Sequence, residues 1–182
     1  MINDLKIFNK VKKKFKKNKV KIINCFIFND KNIKSEIVIS AIPGVAGLNP
    51  TINIIGKTKK ILIANKESII CGWNLIKEKA KKNKTKIVPI DSEHFSIFQL
   101  IKNTKIEDIE KIFLTASGGP FLNLKISKFK KIKPKDALIH PKWKMGKKIT
   151  IDSSTLMNKM FELIEAHKLF NIPLNKLDIL IH

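Results

Sequence analysis

Arginine and tyrosine are absent from this chain of 182 residues, and cysteine occurs only twice. Without arginine there is no planar guanidinium to grip a base edge or a phosphate at two points. The formal charge of +22 therefore rests on lysine and does not by itself identify a nucleic-acid binder. The excess of Lys, Ile and Asn is spread along the whole chain, as in compositional drift, instead of being gathered into a patch. Lysine is dense only from Lys10 to Lys21, which reads either as a polybasic arm or as the solvated face of a helix. Phe15 is the one aromatic inside that run, so stacking partners for a single strand are scarce. Cys25 and Cys71 stand in apolar surroundings, the pattern of buried thiols in a reducing compartment and not of a disulfide. No run approaches the roughly 20 apolar residues of a membrane span. The N-terminus also lacks the apolar core and small-residue cleavage site of a secretory signal.

What is present is a globular composition, 43% hydrophobic, enough for one good core or two small ones. Strands are expected at Val20–Phe28, Glu36–Ile42, Lys60–Ala64, Lys86–Ile90, Lys111–Thr115, Lys148–Ile151 and Leu177–His182. Helices are expected at Leu48–Ile55, Ser68–Lys82, Glu93–Lys102 and from Thr155 to Phe170. Strands alternating with helices predict an α/β fold, a partial Rossmann-like parallel sheet followed by an α+β unit. Residues 1–90 are read as the first domain and 91–182 as the second. Sites in such sheets gather beyond the carboxyl ends of the strands, where Asn65-Lys66-Glu67 and Asp91-Ser92-Glu93 fall. The chain looks cut at both ends, since it stops on an apolar strand and opens without a glycine-rich first turn.

Asp91-Ser92-Glu93 closes the run Ile87-Val88-Pro89-Ile90 in a chain with only 15 acidic residues. In extended backbone, residues two apart point the same way, so Asp91 and Glu93 can converge on a hard divalent cation. A solvated loop with Ser92 capping a helix is the alternative. On the Thr155–Phe170 helix, Asn158, Lys159 and Glu162 share one face by their i, i+3 and i, i+4 spacing. Asp91, Glu93 and Glu162 together would make an all-oxygen site for magnesium or manganese. A surface Lys159–Glu162 ion pair explains the same spacing. Glu165 and His167 offer a competing ligand set, but residues two apart on a helix diverge. Ser117-Gly118-Gly119 after a strand and Ser153-Ser154 before a helix are small turns whose amides can face an anion. With Asn158 and Lys159 they outline a seat for a phosphate monoester. Trp143, on a Lys-rich loop beside His140 and Met145, reads as a lid over a ligand or as a side chain packed back on the domain.

Several of these blocks, taken in order, resemble the 1-deoxy-D-xylulose 5-phosphate reductoisomerase family. They are Ile63-Ala64-Asn65-Lys66-Glu67-Ser68, then Pro89-Ile90-Asp91-Ser92-Glu93-His94 with Ile97-Phe98-Gln99, then Ser117-Gly118-Gly119-Pro120-Phe121. His140-Pro141 with Trp143, Met145-Gly146, and Asp152-Ser153-Ser154-Thr155 with Met157-Asn158-Lys159 and Glu162 complete the series. The resemblance runs from about Glu36 to His182 and leaves Met1–Lys34 outside. It implies conversion of deoxyxylulose phosphate to methylerythritol phosphate in the non-mevalonate route to isoprenoids, with NADPH and a Mn2+ or Mg2+ ion. The metal would polarise the substrate's oxygens while the carbon skeleton rearranges, and NADPH would deliver hydride to the resulting aldehyde.

By the same resemblance Asp91, Glu93 and Glu162 hold the metal. Lys66, Ser92, Glu93, Ser117, His140, Trp143, Ser153, Asn158 and Lys159 meet the substrate, with Lys66 and His140 counted among the catalytic groups. Asn65, Glu67 and Gly146 meet NADPH. The family implies a homodimer without a membrane or nucleic-acid partner, in a bacterial cytoplasm or a plastid. The family's glycine-rich turn and following helical domain are expected to be missing here, which leaves apolar surface exposed. An inactive remnant that serves as a subunit partner, and a basic nucleic-acid-binding module, are the rival readings.

Overall fold

The computed structural model describes residues 4–20, 22–23, 34–140, 144 and 146–182. Helix α1 (Leu5–Lys14) opens on Asp4, whose carboxylate accepts the Ile7 amide at 2.9 Å, and ends on Lys12, Lys13 and Lys14, where cations suit the helix dipole. None of its residues is buried, so the Lys-rich stretch is a solvated helix at least as far as Lys14. Val20, Ile22 and Ile23 are not in a strand, and the rest of the expected Val20–Phe28 strand, Cys25 included, lies outside the described residues.

The first sheet is parallel, in the order β1 (Ser35–Ser40), β2 (Thr58–Ile63), β3 (Lys86–Pro89). Helices α2 (Leu48–Ile54) and α3 (Lys66–Lys82) make the crossovers. Pairing of Ser40 with Ile63, and of Ile63 with Pro89, brings the three carboxyl ends level. The residues that follow each strand thus emerge along one edge. Ile69, Gly72, Ile76 and Ala80 of α3 recur at helical spacing and face the core with Ile55, Ile61 and Ile63. That same periodicity turns Cys71 outward, and its thiol is exposed, contrary to the expectation of a buried one. At Gly72 the helix departs from helical dihedrals, and a side chain there would run into Leu48 of α2.

The chain continues through α4 (Ser92–Leu100), β4 (Ile112–Ala116), the short α5 (Pro134–Ala137), α6 (Lys147–Ser154), α7 (Met157–Phe170) and β5 (Leu177–Ile181). Strands β4 and β5 pair in parallel as a separate two-stranded sheet. A second core of Ile97, Leu114, Ala166, Ile172 and Leu177 lies between that sheet and α4 and α7. The Lys176 ammonium fastens the connection into β4 by donating to the carbonyls of Ile106, Glu107 and Ile109 at 2.9, 3.2 and 2.5 Å. Helix α7 packs against α3 and sends Leu169 to the first core, so one helix ties both cores together.

One element differs in kind. Lys148–Ile151, expected as a strand from its β-branched run, lies inside α6. Thr150 donates its hydroxyl back to the Gly146 carbonyl at 2.9 Å, and Lys148 pairs with Asp152 at 2.7 Å one turn along. Thr150 and Ser154, four apart, are the buried residues, a helical face that tertiary packing selects over β propensity. Asp152, Ser153 and Ser154 consequently form the last turn of α6 and do not cap the next helix. The chain then turns into α7 through Leu156 in the left-handed conformation (φ 59°).

The end of α6 rests on the turn after β4. Gly119 has φ +67°, and a Cβ there would lie 2.8 Å from the Ser153 carbonyl oxygen. Gly119→Ala should therefore cost more than about 1 kcal/mol in urea unfolding followed by circular dichroism. Gly146→Ala, where a Cβ meets nothing within 4 Å, is the tolerated control. Equal costs at the two glycines would contradict this contact.

Candidate metal and anion site

The level strand ends of the first sheet deliver Lys66 after β2 and Asp91 after β3, and α7 crosses in front of them. Asp91 occupies the N-cap position of α4 without capping through its side chain, which leaves its carboxylate to turn into the site. Ligand oxygens of Asp91, Glu93 and Glu162 lie within 4.8 Å of one another. Oxygens so spaced, from three carboxylates, fit the donor set of a hard divalent cation. Glu162 is 2% exposed, so the surface ion-pair explanation of its spacing from Lys159 fails.

Two ammonium groups balance these carboxylates. Lys66 donates to Glu162 Oε1 at 3.1 Å and to Asn158 Oδ1 at 2.8 Å, and stands 3.7 Å from Asp91. Lys159 reaches Glu93 at 3.2 Å and Glu162 Oε2 at 2.5 Å, the latter close but poorly aligned as a hydrogen bond. Asn158 Nδ2 completes the set by donating to Glu162 Oε1 at 2.6 Å. Burial of Lys66 works against its charge, but the Glu162 and Asp91 carboxylates outweigh it and hold the pKa above the ordinary lysine value. Burial likewise opposes ionisation of Asp91, but the His94 hydrogen bond and the Lys66 charge pull its pKa well below the usual carboxylate range.

Beside this cluster opens a cavity of about 460 Å3, lined by Ser92, Ser117, Gly118, His140, Ser153 and Lys159, among others. Gly118 and Gly119 both have positive φ, which glycine tolerates, and Ser117 Oγ lies 3.3 Å from His140 Nε2. Ser92 donates to the neighbouring Glu93 carboxylate at 2.5 Å. Ser153 reaches the cavity from a helix C-terminus, so its own turn presents carbonyls there instead of the amides expected of a helix start. A second cavity, about 420 Å3, adjoins the first along Lys66, Asp91 and Asn158 and is lined by Ile42, Asn65, Glu67 and Gly146. In it Lys148 bridges Glu67 at 3.0 Å and Asp152 at 2.7 Å. Asn65 is 3% exposed and spends its amide on the Ile42 and Gly44 carbonyls and its oxygen on the Ser68 amide, so the side chain shapes the loop. Trp143 and Met145 lie outside the described residues.

Sequence reasoning missed the layer behind Asp91. His94 is fully buried; its Nε2 donates to the Glu162 backbone carbonyl at 2.9 Å, and its Nδ1 stands 3.2 Å from Asp91 and 3.3 Å from Glu165. Glu165 and His167 do not converge, since His167 turns away and donates to the Ile172 carbonyl at 2.8 Å. The i, i+3 spacing of Glu162 and Glu165 carried the signal, but only the packing of α4 against α7 reveals their common partner.

A parallel-sheet protein with a carboxylate–lysine cluster at its strand ends and a glycine–serine cavity beside it is of the α/β class, with oxygen donors of the kind a divalent cation takes and room beside them for an anionic ligand. Comparison with known proteins narrows that class. The profile of 1-deoxy-D-xylulose 5-phosphate reductoisomerase matches residues 1–72, that of the enzyme's C-terminal domain matches residues 87–170, and the chain belongs to this family. The match takes in residues 1–34, for which the motifs alone offered no resemblance. The Pelagibacter ubique and Clostridium novyi reductoisomerases are 56% and 46% identical over the whole chain. The chain spans about half the length of these curated relatives, 48% of each. A crystal structure of DOX-P reductoisomerase in complex with NADPH, fosmidomycin and magnesium superposes with a TM-score of 0.77 at 36% identity, covering 98% of this chain and 48% of that one. The Zymomonas mobilis enzyme in complex with NADPH gives 0.71 at 40% identity, covering 80% and 37%. Among the described residues no helix is long and apolar enough to cross a membrane.

The buried His94–Glu165 pair makes folding sensitive to pH. Burial raises the Glu165 pKa from 4.5 to about 7 despite the His94 charge. Burial lowers that of His94, but the Asp91 hydrogen bond and the Glu165 charge prevail and raise it above 6.5. Both groups thus bind protons more tightly in the folded chain than in the unfolded one. Stability should then fall as pH rises from about 5 through about 7 and above. The depressed Asp91 acts in the opposite sense, but below its ordinary value of 3.8. Urea unfolding without metal between pH 5 and 8 should show the decline, and Glu165→Gln should flatten it. A native stability that rises across this range would contradict the assignment.

Proposed function

We propose that this chain carries the metal- and substrate-binding half of an NADPH-dependent reductoisomerase that rearranges and reduces 1-deoxy-D-xylulose 5-phosphate to 2-C-methyl-D-erythritol 4-phosphate. The observation that carries this reading is the convergence of Asp91, Glu93 and Glu162, from two separate parts of the sequence, beside an anion-sized cavity. The donor set fits Mn2+ or Mg2+: it is all oxygen, and Glu162 Oε2 is buried without an aligned donor among the described residues. When bound, the metal would supply Lewis-acid polarisation of the substrate's oxygens, and NADPH would supply hydride.

The chain's own residues do the rest. Asp91, Glu93 and Glu162 hold the cation. Lys66 and Lys159, which pair with these carboxylates, would be available to the anionic substrate where a cation shared that negative charge. Ser92, Ser117, Ser153 and Asn158 offer hydrogen bonds along the cavity, and His140, in contact with Ser117, stands where it can move a proton to or from a substrate oxygen. Trp143 is assigned to the substrate by family resemblance alone. Glu67 and Gly146 line the adjoining cavity for NADPH, and Asn65 serves it by fixing the Ile42–Gly44 loop. Separate cores support residues 1–90 as a partial NADPH-binding unit and 91–182 as the catalytic one. Exposed Phe113 and Leu180 on β4 and β5 are apolar surface of the kind a homodimer buries. The proposed setting is a bacterial cytoplasm.

Titration of the purified chain with Mn2+, followed by the paramagnetic signal of the free ion, tests this reading. Affinity should drop about tenfold or more in Asp91→Asn. Binding indifferent to Asp91, together with no deoxyxylulose-phosphate-dependent oxidation of NADPH, would overturn the proposal.

A further inference from the structure

Glu165 is 1% exposed, and its Oε2 accepts no aligned hydrogen bond among the described residues. An ionisable group is costly to bury in that state unless it acts on something nearby. Among the described residues, the cationic group nearest this oxygen is the Nδ1 edge of His94, at 3.3 Å. Three of the imidazole's neighbours are fixed by geometry. Nε2 points at the Glu162 carbonyl, which can only accept, so that nitrogen carries a proton. Nδ1 points between Asp91 and Glu165, both acceptors when ionised. The ring therefore links the backbone of one metal ligand to the side chain of another, with Glu165 behind it. Glu165 is not itself placed as a ligand, since the converging oxygens are those of Asp91, Glu93 and Glu162.

Resting on the metal reading above, we propose that Glu165 is a positioning residue for the cation: by keeping a donor on the Asp91-facing edge of His94, it holds the Asp91 carboxylate in its ligating orientation. A glutamine in its place keeps the volume of the side chain but removes the negative charge that faces Nδ1, and its amide can present a donor there instead of an acceptor. The His94–Asp91 hydrogen bond is weakened as a result. Groups that orient metal ligands in this way typically change affinity by about 10- to 100-fold.

The test is Mn2+ affinity, by the free-ion signal, for the unaltered chain, Glu165→Gln, His94→Gln and the double variant, each with circular dichroism as a check of folding. Glu165→Gln should weaken binding about tenfold. The double variant should be no weaker than His94→Gln alone, because Glu165 acts only through the ring. A purely structural role would lower stability in urea unfolding while leaving the Mn2+ affinity of the folded Glu165→Gln chain within about twofold of the unaltered one; that result, or additive losses in the double variant, overturns the proposal. If Glu165→Gln does not fold, Glu165→Asp decides by the same criterion, since it withdraws the carboxylate by one methylene. Failure of the unaltered chain to bind Mn2+ sinks the metal reading and this one with it. Binding by the unaltered chain that ignores Glu165 sinks this one alone.

Discussion

Charge compensation around Glu162 is the constraint on which the rest of the site depends. A carboxylate 2% exposed is held by two ammonium groups and an amide that come from opposite sides, Lys66 from α3 and Asn158 and Lys159 from its own helix. Removing any one partner leaves a buried charge under-compensated, which is costlier than the pair is stabilising. The arrangement fixes α7 across the strand ends of the first sheet. It also keeps three acidic groups together that would otherwise repel one another.

That cluster shows how a protein with a large lysine excess brings three carboxylates together. The surface lysines, such as those of α1, are solvated and make no demand on the fold. Lys66 and Lys159 differ because they are buried beside acids. Their ammonium groups pair with the Asp91, Glu93 and Glu162 carboxylates. The same two groups line the cavity in which Ser117, Gly118 and Ser153 converge, so under the proposed function one set of side chains would serve metal and anion alike.

The architecture serves this convergence through register. Ser40, Ile63 and Pro89 stand level, so Asn65, Lys66 and Asp91 leave the sheet at one edge. The left-handed Leu156 breaks what would otherwise be one long helix and sends α6 and α7 in different directions, with Ser153 on one and Asn158 and Glu162 on the other. Backbone in that conformation is uncommon for leucine and tends to occur at functional sites. Leu156 itself lines the cavity.

The sequence by itself determined the alternation of strands and helices, the carboxyl-end location of the candidate site, and which three acids could converge there. Those conclusions rest on local pattern, on periodicity, and on motif blocks whose spacing survives without the fold. Only the tertiary structure decided that α6 is a helix, because a β-branched run has no local reason to prefer one until Thr150 and Ser154 are buried together. Cys71 faces solvent for a related reason: an apolar neighbourhood in sequence says nothing about which side of α3 a residue occupies. The His94–Glu165 layer was invisible for the deepest reason. Residues 71 positions apart share no pattern, and nothing but the packing of α4 on α7 brings a ring nitrogen of His94 to 3.3 Å from the Glu165 carboxylate.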